Sequence, residues 1–177
     1  RGVSAVHGRL WGYYYDAFTS ANYTLVVPEE AAPAPGSISI GRGIVRSRLT
    51  TQGDLISLRR YDGEPMVLMV HEVLSPDSEL VSSDLILINE QDFRKLFGME
   101  AGMFTDIVLT VRNSKEVATV AGKVQKLLPD TRPIMKSEIL RTYDTIFDWR
   151  SGIIVVILSA AVLAFIIFAW DKASGLS

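Results

Sequence analysis

Carboxylates, histidines and glycine turns are the groups in this chain able to do chemistry, and their spacing decides how much. Asp62 with Glu64, Asp77 with Glu79, and Asp16 alone lie in turn-rich sequence, where carboxylates ordinarily accept local backbone N–H groups or face water. Paired acid and base work has no positive support there. His7 and His71, the two histidines, stand 64 positions apart, and neither has a second ligand at metal-binding spacing or a recognisable nucleophile beside it. The sequence contains no cysteine, which removes disulfides, thiolate nucleophiles and cysteine metal sites. Gly41-Arg42-Gly43 lacks the third glycine of a dinucleotide fingerprint, and no Gly-x-x-x-x-Gly-Lys-Ser/Thr occurs, so the pair reads as a turn. No catalytic, cofactor-binding or metal residue is assigned, and the chain itself is expected not to be an enzyme.

A formal net charge of −2 supplies no basic field for gathering phosphates, and nucleic acid is excluded as an expected partner. Asn22-Tyr23-Thr24 fits the N-glycosylation pattern, which is common by chance. Recognition chemistry is concentrated instead in Trp11-Gly12-Tyr13-Tyr14-Tyr15, with Phe18 and Tyr23 close behind. Tryptophan and tyrosine anchor interfaces well. Consecutive tyrosines on an extended chain point alternately to opposite sides, so at least one side joins the core, and a structural role stands beside partner binding as the reading of the stretch. Trp11, Tyr13, Tyr14 and Tyr15 are the candidate partner interface.

The elements that must position these groups are short. Val3–Leu10 and Tyr23–Val27 read as extended segments, separated by the stretch from Trp11 to Asn22. Pro28–Gly36 holds three prolines and a glycine and reads as a polyproline-like connection between two lobes. Ser37–Ile40, Ile44–Leu49, Leu55–Arg60, Met66–Val73 and Leu85–Ile88 are rich in branched residues, as strands are, and Asp62-Gly63 marks a hairpin. Asn89 is placed to cap a short helix bearing Phe93, Leu96 and Phe97, with Gly98 at its left-handed end. Alternation predicts a strand over Ile107–Val111. Asn113 to Glu116 has capping-box spacing, and Val117, Val120, Ala121, Val124, Leu127 and Leu128 form one helical face that Pro129 stops. A short extended piece near Pro133–Met135 follows, and Ser137 is the expected cap of the next helix.

From Ser151 to Trp170 the chain then runs 20 residues without a charge, about the length that crosses a bilayer's hydrocarbon core. Twelve of them are Ile, Leu, Val or Phe, which favours insertion by about 4 to 7 kcal/mol. Trp149 and Trp170 flank the run at headgroup level, and Arg150, Asp171 and Lys172 mark where the apolar phase stops. A transmembrane helix over 151–170 is expected, with 171–177 on the cytoplasmic side. An unbroken helix from Glu138 to Trp170 would be about 50 Å long, a stalk able to transmit movement. Ala160 and Ala164 form a small-xxx-small pair for transmembrane packing. The chain begins at Arg1 without methionine and ends just past the run, as a piece of a longer protein would.

Lys136-Ser137-Glu138-Ile139-Leu140-Arg141-Thr142-Tyr143, leading from a soluble domain into the apolar run, resembles the FtsX/MacB/LolE-type permeases, which are subunits of ABC transporters. Leu85-Ile86-Leu87-Ile88-Asn89-Glu90-Gln91-Asp92-Phe93-Arg94-Lys95-Leu96-Phe97-Gly98 is similar to that family's passage from apolar strand to short helix, and the likeness runs over nearly the whole chain. It implies an α+β extracytoplasmic domain over 1–150, inserted between the first and second of four membrane helices, the run being the second. It also implies two lobes, a middle one over about 37–105 and another from 1–36 with 106–150. The implied location is the cytoplasmic (inner) membrane with the domain on the periplasmic side. Implied partners are a cytoplasmic P-loop ATPase that supplies catalysis, another permease copy or paralogue, membrane lipid, and a protein or substrate outside the membrane. The chain lacks the family's other membrane helices and its coupling segment, so no residue is assigned to ATPase docking. A ligand-sensing extracytoplasmic domain of a receptor is the second reading, and a membrane-anchored hydrolase ranks last for want of a nucleophile or metal constellation.

Overall fold

The computed structural model describes residues 2–141, 156–166, 168 and 170. It is a mixed α/β chain in order β1 (Val3–Arg9), β2 (Trp11–Asp16), β3 (Ala21–Val26), β4 (Ser37–Ile40), α1 (Arg42–Arg48), β5 (Leu55–Arg59), β6 (Pro65–Val73), α2 (Glu79–Ser82), β7 (Leu85–Ile88), α3 (Glu90–Phe97), β8 (Asp106–Val111) and α4 (Val117–Leu127). Two compact units emerge, one formed by Ala5–Thr110 and the other by Arg1–Ser4 with Val111–Ser177.

The larger unit is built on a six-stranded mixed sheet in the order β2-β3-β7-β4-β6-β5. β3 runs parallel to β7 and β4 parallel to β6, and the other neighbours are antiparallel. Alternation along the strands sorts the side chains cleanly. Tyr23, Leu25, Ile38, Ile40, Ile56, Leu58, Leu68, Val70, Ile86 and Ile88 are buried on one face, where Ile44 of α1 and Phe93 and Leu96 of α3 join them. Because β2 and β3 belong to this same sheet, the Pro28–Gly36 segment does not separate two sheets, and the lobe boundary expected there does not coincide with a boundary of the unit. That segment ends pinned to α3: the buried Asp92 carboxylate accepts from Gly36 N–H at 2.6 Å and from the Asn89 amide at 2.5 Å.

The two free edges of the sheet approach each other. Tyr14 on β2 accepts the Arg59 N–H of β5 through its hydroxyl at 2.7 Å, and Arg48 reaches the Ser57 carbonyl at 3.4 Å. Side chains thus satisfy backbone groups that β5 leaves open at its edge, a protection sheets need against stray pairing.

Local signals account for several element ends. Asn89 accepts the Asp92 N–H at 3.0 Å as the α3 cap, and Gly98 takes the left-handed conformation at its end with φ 68°. Gly63 turns the β5–β6 hairpin at φ 89°. Four expectations need correction. Ile44–Leu49 is not a strand: Arg42–Arg48 is helical, since this connection must cross from β4 to β5 over the core and Ile44 alone is needed inside, so tertiary demand overrides branched-residue propensity. Trp11–Asp16, expected as a separator, is itself strand β2. Pro133–Met135 has no regular structure, and the helix over 136–141 starts one residue before Ser137, with Met135 O accepting from Glu138 N–H at 2.9 Å. Ser137 therefore lies within its first turn.

In the smaller unit, α4 follows a short 3₁₀ turn that Asn113 caps by accepting Lys115 N–H at 3.1 Å, and Val120 is its buried residue. Gly122 sits mid-helix, and a Cβ there would meet no atom within 4 Å. Replacing it with alanine removes backbone freedom from the unfolded chain without a clash, so Gly122→Ala stabilises this unit by about 0.5–1 kcal/mol, read as a higher urea midpoint with an unchanged slope.

Of the expected membrane run, 156–166 is helical, and its large apolar side chains, Val156, Ile157, Leu158, Val162, Leu163, Phe165 and Ile166, are all exposed. No helix among the described residues is long and apolar enough to cross a membrane. Residues 151–155, 167 and 169 lie outside the described residues, as do 142–150 of the stalk, Trp149 and Arg150 among them, and 171–177.

Candidate functional site

The aromatic stretch falls on β2, an edge strand, and the pleat divides it. Tyr14 turns toward the core and is held through its hydroxyl on Arg59 N–H. Tyr13 and Tyr15 point the other way and are 70% and 60% exposed. Trp11 shares their side and meets Tyr13 edge to face, 5.6 Å between centroids at 86°, the geometry that matches a ring's positive edge to its neighbour's negative face. Three of the four candidate interface residues therefore form one surface, and Tyr14 is a structural member of the group.

Trp11 is fixed from the other side as well. Its indole N–H donates to Asp106 Oδ2 at 3.1 Å, and its backbone N–H and carbonyl both engage Thr105 Oγ1, at 3.2 and 2.7 Å. Arg9 makes a two-pronged contact with the same Asp106 carboxylate, Nε to Oδ1 at 2.8 Å and Nη2 to Oδ2 at 2.5 Å. The guanidinium beside it, then the indole hydrogen bond, hold the Asp106 carboxyl below its usual value despite partial burial, and the Arg9 group is raised in turn. Beside this cluster opens a cleft of about 560 Å³ whose lining includes Arg9, Trp11, Val26, Glu29, Glu90 and Phe104. Phe104 lies flat over Gly8, where a Cβ would stand 2.2 Å from the ring, so a bare backbone is what admits the ring. The Arg94 guanidinium lies over the Phe104 ring, 5.5 Å from its centroid.

A second polar cluster is buried. Asp16 and Arg48, with side chains 5% and 11% exposed, pair at 2.8 Å, Nη2 to Oδ1, and again at 3.0 Å, Nε to Oδ2. Asp16 also accepts from the Thr19 hydroxyl at 2.7 Å, Phe18 N–H at 3.2 Å and the Tyr23 hydroxyl at 3.3 Å, and Tyr23 reaches Ser47 at 3.2 Å. Burial pushes this carboxyl up, yet the hydrogen bonds from Thr19 and Phe18 and the Arg48 charge outweigh it and hold it below the ordinary value. The cluster ties the β2–β3 turn to the end of α1. It has the satisfaction of a structural brace, with no lone pair left open to a substrate.

Several of the other candidate groups are paired. Asp62 pairs with Arg60 at 2.6 Å and accepts Glu64 N–H at 3.1 Å, while Glu79 pairs with Arg46. His7 contacts Glu29 at 2.8 Å, and His71 is exposed on β6. Among the described residues no group of three or more His, Cys, Asp or Glu could hold a metal ion. Gly41 and Gly43 are sites of close approach: a Cβ on Gly41 would stand 1.8 Å from the Ser82 carbonyl oxygen, and one on Gly43 2.7 Å from that of Ser83. Ala160 and Ala164 lie on the exposed helix over 156–166.

Sequence reasoning missed the Arg9–Asp106 and Asp16–Arg48 pairs, whose partners lie 97 and 32 positions apart. No local spacing could have found either. No protein-family model matches the chain, and no curated relative matches it.

Proposed function

We propose that this chain is the extracytoplasmic α+β domain and second membrane helix of an ABC transporter permease, a part that carries force rather than one that does chemistry. The observation that carries the reading is the apolar run: 20 uncharged residues by sequence, of which the described stretch 156–166 is helical with every large apolar side chain exposed. In water such a helix would leave a large apolar surface unburied, and a bilayer removes that cost. The mixed α/β domain preceding it supports the same reading, as does the strand-to-helix passage Leu85–Gly98.

In the proposed mechanism, closure of a separate cytoplasmic ATPase shifts the membrane helices, and the segment leading into the run passes that shift to the domain outside, altering its contact with a substrate or partner protein. Trp11, Tyr13 and Tyr15 are the surface offered to that partner. The cleft beside Trp11 favours the second reading, a ligand-sensing receptor domain, because it sets apolar walls around one arginine and two glutamates.

Affinity capture of the full-length protein from detergent-solubilised membranes discriminates the two. The transporter reading expects a P-loop ATPase in stoichiometric amount, and intact, folded protein emerging without one would abandon that reading in favour of the receptor.

A further inference from the structure

The cleft beside Trp11 has walls that are fixed before anything enters it. Its volume, about 560 Å³, falls in the range of small-molecule sites. Leu10, Trp11, Val26, Val27, Pro28 and Phe104 supply its apolar lining. Both rings are held in place. Trp11 is tied through its indole to Asp106 and through its backbone to Thr105, and Phe104 lies against Gly8 with the Arg94 guanidinium over its ring. Arg94 is itself anchored, donating to Glu90 Oε1 at 2.8 Å and to the Met103 carbonyl at 2.9 Å, which secures the segment that bears Phe104. A site so prepared does not have to be ordered by its ligand.

The charged groups in and behind the lining decide what it takes. Arg9 commits Nε and Nη2 to Asp106 and lies in the field of Glu29 as well, so an incoming anion would face both carboxylates. Thr24 donates its hydroxyl to Asp84 at 3.2 Å. Acceptors remain. Glu29 and Glu90, whose side chains are 65% and 59% exposed, each engage one oxygen, Glu29 Oε1 with His7 and Glu90 Oε1 with Arg94. Among the described residues the second oxygen of each makes no hydrogen bond. Glu29, Glu90, Asp84 and Asp106 thus stand against Arg9 and Arg94, and counting His7 as a cation still leaves the balance negative. Excess negative charge beside aromatic and aliphatic walls is the environment that holds an ammonium group.

We infer that this cleft binds a small organic cation, an amine or quaternary ammonium group on an apolar or aromatic body, with the body against Trp11 and the charged head toward Glu29 and Glu90. The inference takes up the cleft on which the receptor reading rests, and it holds equally for a domain that belongs to a transporter. Tyr13 and Tyr15 do not line the cleft and stay with the partner surface.

Trp149→Phe with Trp170→Phe leaves Trp11 as the sole tryptophan of the full chain, and its emission reports the cleft. In non-ionic detergent, benzyltrimethylammonium is expected to change that emission saturably and to receive saturation transfer from the protein in its NMR spectrum. Phenylacetate and benzyl alcohol, an anion and a neutral molecule of similar body, are expected to bind at least about tenfold more weakly. The double variant Glu29→Gln, Glu90→Gln is expected to weaken the ammonium about tenfold. Phenylacetate or benzyl alcohol binding as tightly as the ammonium, or an ammonium that gives neither emission change nor saturation transfer, overturns the inference, and both results are read with the cleft unaltered. Undiminished ammonium binding in the folded double variant overturns it as well. ATPase capture reports the transporter reading independently: an ATPase captured by a protein whose cleft binds no ammonium refutes the ligand alone, whereas ammonium binding by a protein that captures no ATPase supports the ligand and refutes the transporter.

Discussion

Asp16→Ala is expected to destabilise the larger unit by about 3–5 kcal/mol, because it leaves the Arg48 guanidinium nearly buried and without its counter-charge. The geometry sets the size of the effect. The arginine is 11% exposed and meets the carboxylate through two nitrogens, and the same carboxylate serves Thr19, Phe18 N–H and Tyr23, so one deletion opens five donors at once. Restoring shape without charge, as in Asp16→Asn, keeps some of those bonds and loses the Coulomb term, and an intermediate loss is expected. The pH dependence has a definite sign. Asp16 and Asp106 titrate lower in the folded chain than in the unfolded one, so the stability they add is fully present above the unfolded carboxylate value and disappears as pH falls through the folded one. Urea midpoints of the wild type should therefore drop in acid, and the drop should be shallower in Asp16→Ala. A variant with the wild-type midpoint at neutral pH would show that Arg48 finds water or another acceptor.

The elements legible in the sequence are those whose cause is local. The Asn89 cap, the Gly98 terminus, the Asp62-Gly63 hairpin and the runs of branched and apolar residues in β4, β6 and β7 each follow from residues within a few positions of one another. The helix at Arg42–Arg48 was not legible, since Ile44 and Val45 favour extended backbone and only the need to bridge β4 and β5 makes them helical. Strand β2 was hidden for a related reason: its aromatics alternate between a core-directed Tyr14 and outward Trp11, Tyr13 and Tyr15, so hydropathy shows no period of two. The sequence shows the aromatic stretch but could not say which members face outward, because that depends on which side of β2 the sheet buries. Both charged clusters are built by topology. Asp16 reads as a turn carboxylate until α1 delivers Arg48, and Asp106 acquires Arg9 and Trp11 only when the end of β1 and the start of β8 meet.

Gly41 tests how the Gly41-Arg42-Gly43 turn is used. A phosphate cradle and a packing contact both favour glycine there, for opposite reasons: the first leaves room for a ligand, the second leaves none. Gly41 has φ −72° and ψ 156°, a conformation any residue adopts, so freedom of backbone rotation is not what it supplies. What it supplies is absence of a side chain, since a Cβ would fall 1.8 Å from Ser82 O and 2.6 Å from Ser83 O. Those are backbone atoms of the segment joining α2 to β7, already fastened to this turn by Gly41 N–H on Leu85 O at 2.8 Å and Ile44 N–H on Ser83 O at 3.3 Å, so no side chain can swing aside to relieve the clash. Gly41→Ala is accordingly expected to cost about 3 kcal/mol, at the upper end for overpacking, seen as a lower urea midpoint, while magnesium–ATP leaves the wild-type midpoint where it was. The opposite pattern, a stable Gly41→Ala chain and a wild type whose midpoint rises with nucleotide, would mean that the turn stands open and binds phosphate. The same substitution at Gly122 raises stability, and the difference in sign between two glycine-to-alanine changes isolates the cause as the approach of the Ser82 and Ser83 carbonyls.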